Sequence, residues 1–259
     1  MFALLEAAQQ AAGDTVYGER LDIIADYTAP LKERAEKIGD SDGKRYVARA
    51  NTRRAVAPVG EPADETKDGR LFDGEMSKYM LYDCVTGDKP VENRTILKLG
   101  WADNALYLTI RCYDNDMENL NVTTDRDDHP PMWWGDSVDI LIETHQHAYY
   151  QIGINPAGAL ADADREDGID FDWSSGAEVN IRKYGNRWTA DVRMPIVAPG
   201  NEETDVLQGV DATGDRGVTG VKPTSSLPWF INVCRQRVRE DEPKQLQAFS
   251  PTGKPSFHV

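Results

Sequence analysis

Apolar and polar residues alternate along most of this chain, and the period changes once. From about residue 70 onward the repeat is two. Thr95–Leu99, Ala105–Tyr113, Ser137–Glu143, Tyr149–Ile154, Glu178–Arg182, Arg187–Met194 and Phe230–Val238 all carry the alternation and the β-branched or aromatic residues that suit a pleated surface. Turn residues separate them. Ala102-Asp103-Asn104 lies between the first two, and Gly185-Asn186 closes a predicted hairpin between Tyr184 and Arg187-Trp188. Strands in succession with no helix between them predict a mainly β fold, an antiparallel β-sandwich of jelly-roll or immunoglobulin-like type. Before residue 55 the repeat is three to four: Tyr17, Leu21, Ile24, Thr28, Leu31, Ala35 and Ile38 share one face of a predicted helix, which Pro30 kinks or restarts. A second amphipathic stretch runs from Lys44 to Ala55. These residues are too few to enclose a core, so the helical segment must pack on something else. The expected plan is a helical segment over 1–55, a polar Pro- and Gly-bearing linker over 56–69, and the sandwich over 70–259. Residues 198–228 are Gly-rich and irregular, and read as an excursion of functional-loop type.

Composition narrows the partners. In 259 residues, 40% are hydrophobic, and six Trp, ten Tyr and six Phe can fill a core. The net charge of −15 would repel nucleic acid and an anionic membrane, and fits a neutral or cationic ligand. No run of apolar residues is long enough to cross a bilayer as a helix. The start, Met1-Phe2-Ala3-Leu4-Leu5-Glu6, lacks the basic region and long apolar core of a secretory signal. Cys84, Cys112 and Cys234 are odd in number and lack metal-binding spacing, so buried free thiols are expected.

The richest chemistry lies in Pro131-Met132-Trp133-Trp134-Gly135-Asp136-Ser137-Val138-Asp139-Ile140-Leu141-Ile142-Glu143. Val138, Ile140 and Ile142 point one way, Asp139 and Glu143 the other, and Gln151 of the next strand joins the polar face. An aromatic plate can cover the C–H face of a sugar ring while carboxylates accept bonds from its hydroxyls. Of the two tryptophans, one is expected to pack and the other to be exposed. Arg235 offers a rigid two-pronged donor that suits either sugar hydroxyls or an ion pair. Asp114-Asn115-Asp116 with Glu118, Asp125 with Asp127 and Asp128, and the acidic run Asp162–Asp172 are oxygen-rich loops that suit either calcium or water. His145-x-His147 sits at a turn without an evident third ligand. No nucleophile elbow or phosphate loop is present. Carboxylates are numerous enough that a glycosidase or lyase pair stays open beside a binding role, as does a purely structural sandwich.

Residues 70–259 resemble the family-9 carbohydrate-binding modules through six segments in order. Phe72-Asp73-Gly74-Glu75 resembles the opening Asp-Gly signature. Leu99-Gly100-Trp101-Ala102-Asp103-Asn104-Ala105-Leu106-Tyr107-Leu108 resembles the Trp-Asp-x-x-x-Leu-Tyr strand, and Cys112-Tyr113-Asp114 the strand after it. Trp134-Gly135-Asp136-Ser137-Val138-Asp139-Ile140 resembles the central Trp-x-x-Asp-Ser-Val-Glu motif. Gly185–Pro195 resembles the Gly-Trp hairpin, and Phe230–Arg235 the late Asn-containing strand. The resemblance implies a sandwich that binds oligo- or polysaccharide between two aromatic plates and carries calcium. It places one plate at Trp134 and the other at Phe249 or Phe257, with Asp139 and Gln151 as polar ligands, to which Arg235 is added by its own chemistry. Asp114 and Asp116 are the expected calcium ligands. Asp139 is shorter than the family's Glu, and Phe replaces Trp at the second plate. The chain stops before the family's closing Phe-Gly, so a fragment of a larger extracellular or periplasmic protein is expected, possessing an adjoining catalytic domain. Gly18–Ile24 resembles the helical tail after a glycoside-hydrolase-like region. Related sandwiches bind haem, a role for which the histidines here are poorly placed.

Overall fold

The computed structural model describes residues 53–63, 70–144, 147, 149–166, 168–197 and 217–258, together with Ala8 and Ala11 in helical conformation. Apart from Ala8 and Ala11, and from residues 53–55, which are not helical, the expected helical segment lies outside the described residues, as do His145 and residues 198–216 of the excursion. Residues Thr52–Val259 form one compact unit.

That unit is mainly β. Its strands are β1 (Glu61–Pro62), β2 (Phe72–Asp73), β3 (Ser77–Met80), β4 (Tyr82–Asp83), β5 (Thr95–Ala102), β6 (Ala105–Tyr113), β7 (Ser137–Glu143), β8 (Tyr150–Ile154), β9 (Leu160–Asp164), β10 (Glu178–Tyr184), β11 (Arg187–Val197), β12 (Val218–Thr219), β13 (Phe230–Arg239) and β14 (Glu242–Ala248). One sheet runs β10-β11-β6-β5-β3, with β12 pairing parallel to β11. The other runs β4-β14-β13-β7-β8-β9, and β1 and β2 form a short ribbon. Apart from β12, every strand pairing is antiparallel. The two-residue turns follow the predicted chemistry. Asp103 and Asn104 both take positive φ (42° and 52°), as the tight turn between β5 and β6 requires. Tyr184 pairs with Arg187 across Gly185-Asn186.

The sheets meet face to face. Leu97, Leu99, Leu108, Ile110, Trp188, Val192 and Met194 of the first sheet share one core with Val138, Ile140, Ile142, Ile152, Ile154 and Val233 of the second. Burying a side chain of this size contributes roughly 1.5–3 kcal/mol, so alternation within each strand suffices to select this face. Trp173, from the acidic loop, and Tyr150 stack at 4.4 Å within the same core.

The sandwich reaches further toward the N-terminus than the linker expectation allowed. Arg53 lies with its guanidinium 4.3 Å from the Tyr82 ring centroid and donates to the Met80 carbonyl at 2.7 Å. Val59 bridges to Trp101, and Gly60 N–H donates to the Trp101 carbonyl at 2.9 Å. Residues 53–63 are therefore part of the sandwich, packed on β3 and β4 at Arg53 and on β5 at Val59 and Gly60.

Strand parity also revises three expected sites. Phe249 packs in the inter-sheet core, 1% exposed, and cannot serve as an outer plate. Arg235 shares the inward parity of Val233 and is likewise buried. With Arg237 and Arg239, two and four positions on, it converges on Asp114. Arg235 Nη2 reaches Asp114 Oδ2 at 2.8 Å, Arg239 Nη2 reaches it at 2.9 Å, and Arg237 Nε at 3.1 Å. Arg235 also donates to the Asn93 and Tyr113 carbonyls, each at 2.7 Å. Arg239 pairs with Asp136 at 2.7 Å and approaches Asp116 at 3.4 Å; Arg237 pairs with Glu242 at 2.5 Å. The two carboxylates expected to hold calcium thus face guanidinium groups, which supply the positive charge a cation would otherwise bring. Among the described residues, no cluster of three His, Cys, Asp or Glu side chains is arranged to hold a metal ion.

Candidate functional site

The outer face of the second sheet carries the remaining chemistry. On β7 it presents Ser137, Asp139, Leu141 and Glu143, opposite in parity to Val138, Ile140 and Ile142. The register sets Asp139 beside Gly153 of β8 and Cys234 of β13, and Leu141 beside Gln151. Gln151 and Gly153 in turn lie beside Ala163 and Ala161 of β9. Small residues therefore keep this end of the face low, and an aromatic side chain fills the space.

That side chain is Trp133. It comes from a single 3₁₀ turn, Pro130–Trp134, which leads into β7. Its indole lies over Gly153: a Cβ there would stand 2.9 Å from Trp133 Nε1 and 3.1 Å from Met132 Sδ, so glycine is the residue that fits. Trp133 Nε1–H donates to Asp139 Oδ1 at 2.8 Å, and Gln151 Nε2 donates to the same oxygen at 2.9 Å. Arg165, just past β9, donates from Nη1 to Gln151 Oε1 at 3.2 Å. Gln236 fixes the turn from below, donating to the Trp133 and Gly135 carbonyls at 2.8 Å each, while Lys244 Nζ donates to Gln236 Oε1 at 3.1 Å. The result is a chain of polar contacts, Arg165–Gln151–Asp139–Trp133, lying across three strands.

Asp139 is 2% exposed. Burial raises its carboxyl pKa above the ordinary 3.8, opposed by the Gln151 and Trp133 hydrogen bonds and the Arg165 charge. Its role is to hold the Trp133 ring, with little surface left for a ligand. Trp134, by contrast, is 70% exposed beside it. Phe171 faces Trp133 at 6.2 Å between ring centroids, tilted by 38°. Further along the same face, Cys84, Leu141, Cys234 and Ala248 form an apolar floor against which Tyr149, Leu246 and Phe257 pack. Arg165 stands between the two ends, its guanidinium 5.9 Å from the Tyr149 ring centroid.

Comparison with solved structures bears on the fold that carries this face. A Bacteroides uniformis protein proposed to bind carbohydrate superposes with a TM-score of 0.53 at 12% identity, over 78% of this chain and 93% of that one. The fold is shared with it. A family-9 carbohydrate-binding module of Caldicellulosiruptor kristjanssonii overlaps more loosely. Its cellotriose complex gives a TM-score of 0.43 at 13% identity over 74% of this chain and 83% of that one, and its glucose complex 0.43 at 12% over 74% and 85%. No family model and no curated relative matches the sequence.

Of the residues singled out from sequence, Trp134, Asp139, Gln151 and Phe257 lie on or beside this face, whereas Arg235, Phe249, Asp114 and Asp116 belong to the core and its arginine cluster. The expectation for the tryptophans holds in form: Trp133 packs and Trp134 is exposed. Three participants were not anticipated as site residues. Trp133 was legible in its spacing, since Trp133-x-x-Asp136-Ser137-Val138 fits the Trp-x-x-Asp-Ser-Val pattern one residue better than Trp134 does. Arg165 and Phe171 lie in the acidic run that the sequence offers as an ion-holding or ligand-bordering loop, or a solvated one, and neither stands out there by its own spacing. There, Asp164 and Glu166 flank His147, at 2.8 Å from Nε2 and 3.0 Å from Nδ1, and the ring stacks on Tyr150 at 4.1 Å.

Proposed function

We propose that this chain is a non-catalytic carbohydrate-binding module whose site is the outer face of the second sheet. The observation that carries the reading is the Trp133–Trp134 pair, one ring held by Asp139 and Gln151 and the other 70% exposed on the same turn. An exposed indole costs free energy in water and is recovered by stacking on an apolar ring face. Phe171 provides a second aromatic surface across from Trp133. The shared fold with a protein proposed to bind carbohydrate agrees with this at the level of architecture.

A binding role is favoured over hydrolysis by spacing. Asp139 and Glu143, the acids of this face on β7, are four residues apart on one strand, about 13 Å. Glycosidase carboxyl pairs stand roughly 5–9.5 Å apart. Such a module would serve a polysaccharide-processing protein outside the cytoplasm. A shallow face of this kind gives modest affinity, because few hydroxyls are desolvated on binding. The test is a glycan array followed by calorimetry. Binding to at least one oligosaccharide, lost in Trp134→Ala and in Trp133→Ala, is the expected result. No response to any glycan would overturn the reading.

A further inference from the structure

The charge of this face departs from that of the chain. The protein carries 44 acidic against 29 basic residues, yet Arg165, which lies on this face, forms no ion pair among the described residues. Its sequence neighbours Asp164 and Glu166 are the nearest candidates, yet both are drawn to His147 on the opposite side of β9. Strand alternation thus sorts the acids to one face and leaves the cation on the other. Among the described residues, one of the guanidinium's nitrogens, Nη1, is engaged by a side chain, at 3.2 Å from Gln151 Oε1. That bond and the Tyr149 ring beneath hold the group in place without neutralising it. On the outer face of β7, Asp139 directs Oδ1 to Trp133 and Gln151 and feels the Arg165 charge without forming an ion pair with it, and Glu143 lies two residues beyond Leu141. Lys244 adds a second cation at the far side of Gln236.

A half-buried, pre-oriented guanidinium with free donors, set among aromatic rings, is built to take a planar anion. The geometry points to an acidic sugar as the ligand: a uronic-acid residue whose carboxylate pairs with Arg165 through two N–H donors while its ring lies along Trp133 and Phe171. This rests on the carbohydrate-binding reading and names its substrate class. It also revises the expectation from net charge. The −15 of the whole chain is spread over the surface and screened beyond about 8 Å at physiological ionic strength. A local contact with Arg165 is not screened in that way.

The experiment is calorimetry with oligosaccharides of galacturonate, glucuronate and mannuronate, each beside its neutral methyl ester, and with neutral cello- and xylo-oligosaccharides. At least one uronate is expected to bind about tenfold or more tighter than its own ester. That ratio should shrink as salt is raised, and should fall to near one in Arg165→Gln; Arg165→Lys should retain part of it. Far-UV circular dichroism of the variants checks that they fold. Binding of neutral sugars or esters as tight as uronates would overturn the acidic-sugar inference and leave the carbohydrate reading standing. Silence toward every sugar, acidic and neutral, would overturn both.

Discussion

Removing the charge of Asp114 is expected to cost more stability than any surface substitution. The side chain is fully buried and is the common acceptor of Arg235, Arg237 and Arg239, whose side chains are 1%, 1% and 5% exposed. In Asp114→Asn, Arg239 keeps Asp136 and Arg237 keeps Glu242. Arg235 keeps only two neutral carbonyls, of Asn93 and Tyr113. A buried guanidinium then lacks a counter-charge. Breaking a buried pair from one side costs about 3–5 kcal/mol, against a typical domain stability of about 5–15 kcal/mol. With a urea m-value of about 2–3 kcal/mol/M for a domain of this size, the midpoint should fall by about 1–2 M. Urea titration followed by tryptophan fluorescence measures it, with Glu178→Ala as the comparison. Glu178 pairs with Arg193 at 2.8 Å but is 59% exposed, so its loss should cost less than about 1 kcal/mol. If Asp114→Asn shifts the midpoint no more than Glu178→Ala does, the arginine cluster does not anchor the fold.

Three further outcomes follow from the same structure. Asp139 is held above the ordinary 3.8 by burial, so the folded protein binds its proton more tightly than the unfolded chain does, and stability falls as pH rises from 3.8 through the raised value. Asp139→Asn, whose amide oxygen can accept the same two bonds, should therefore be no less stable than the native protein at neutral pH and lose its relative advantage below 3.8; thermal melts across pH would show whether it does. The thiol of Cys112 is pushed up to about 12 and that of Cys234 well above its usual range, both by burial, and Cys84 is equally enclosed. All three should resist a thiol reagent in the native state and react only on unfolding; rapid labelling under native conditions would contradict that. Because Asp114 and Asp116 face guanidinium groups, calcium and a chelator should each leave the melting temperature unchanged, and a clear rise with calcium would refute this assignment of their charge.

The strands that build the core announced themselves, because β5, β6, β7, β8, β11 and β13 must each turn an apolar side inward, and that demand writes period two into the sequence. β9 and β14 escaped notice for the same reason inverted. Leu160–Asp164 and Glu242–Ala248 lie toward the edges of the second sheet and carry acids, glutamines and a proline where an inner strand would carry valines. Arg235 resembles a surface ligand by its chemistry alone, but parity decides its direction. Two positions from Val233 on one strand, it had to point inward. Asp114 looked like an ion ligand because an acidic triplet reads alike whether it meets calcium or guanidinium; the arginines at 235, 237 and 239 were present in the sequence, but pairing them with residue 114 requires the sheet register. Trp134 and Asp139 were legible as a pair of interest. Their division of labour was not, since a 3₁₀ turn interrupts strand parity between them.

The most direct test of the central claim is to map an oligosaccharide that binds onto the chain by backbone and indole amide chemical shifts. The account predicts that the largest changes fall on the Trp133 and Trp134 indole N–H signals and on the amides of residues 139–141, 149–153 and 161–165, with the first sheet nearly silent. The changes falling instead on β5, β6 or β11, with both indoles unmoved, would contradict it.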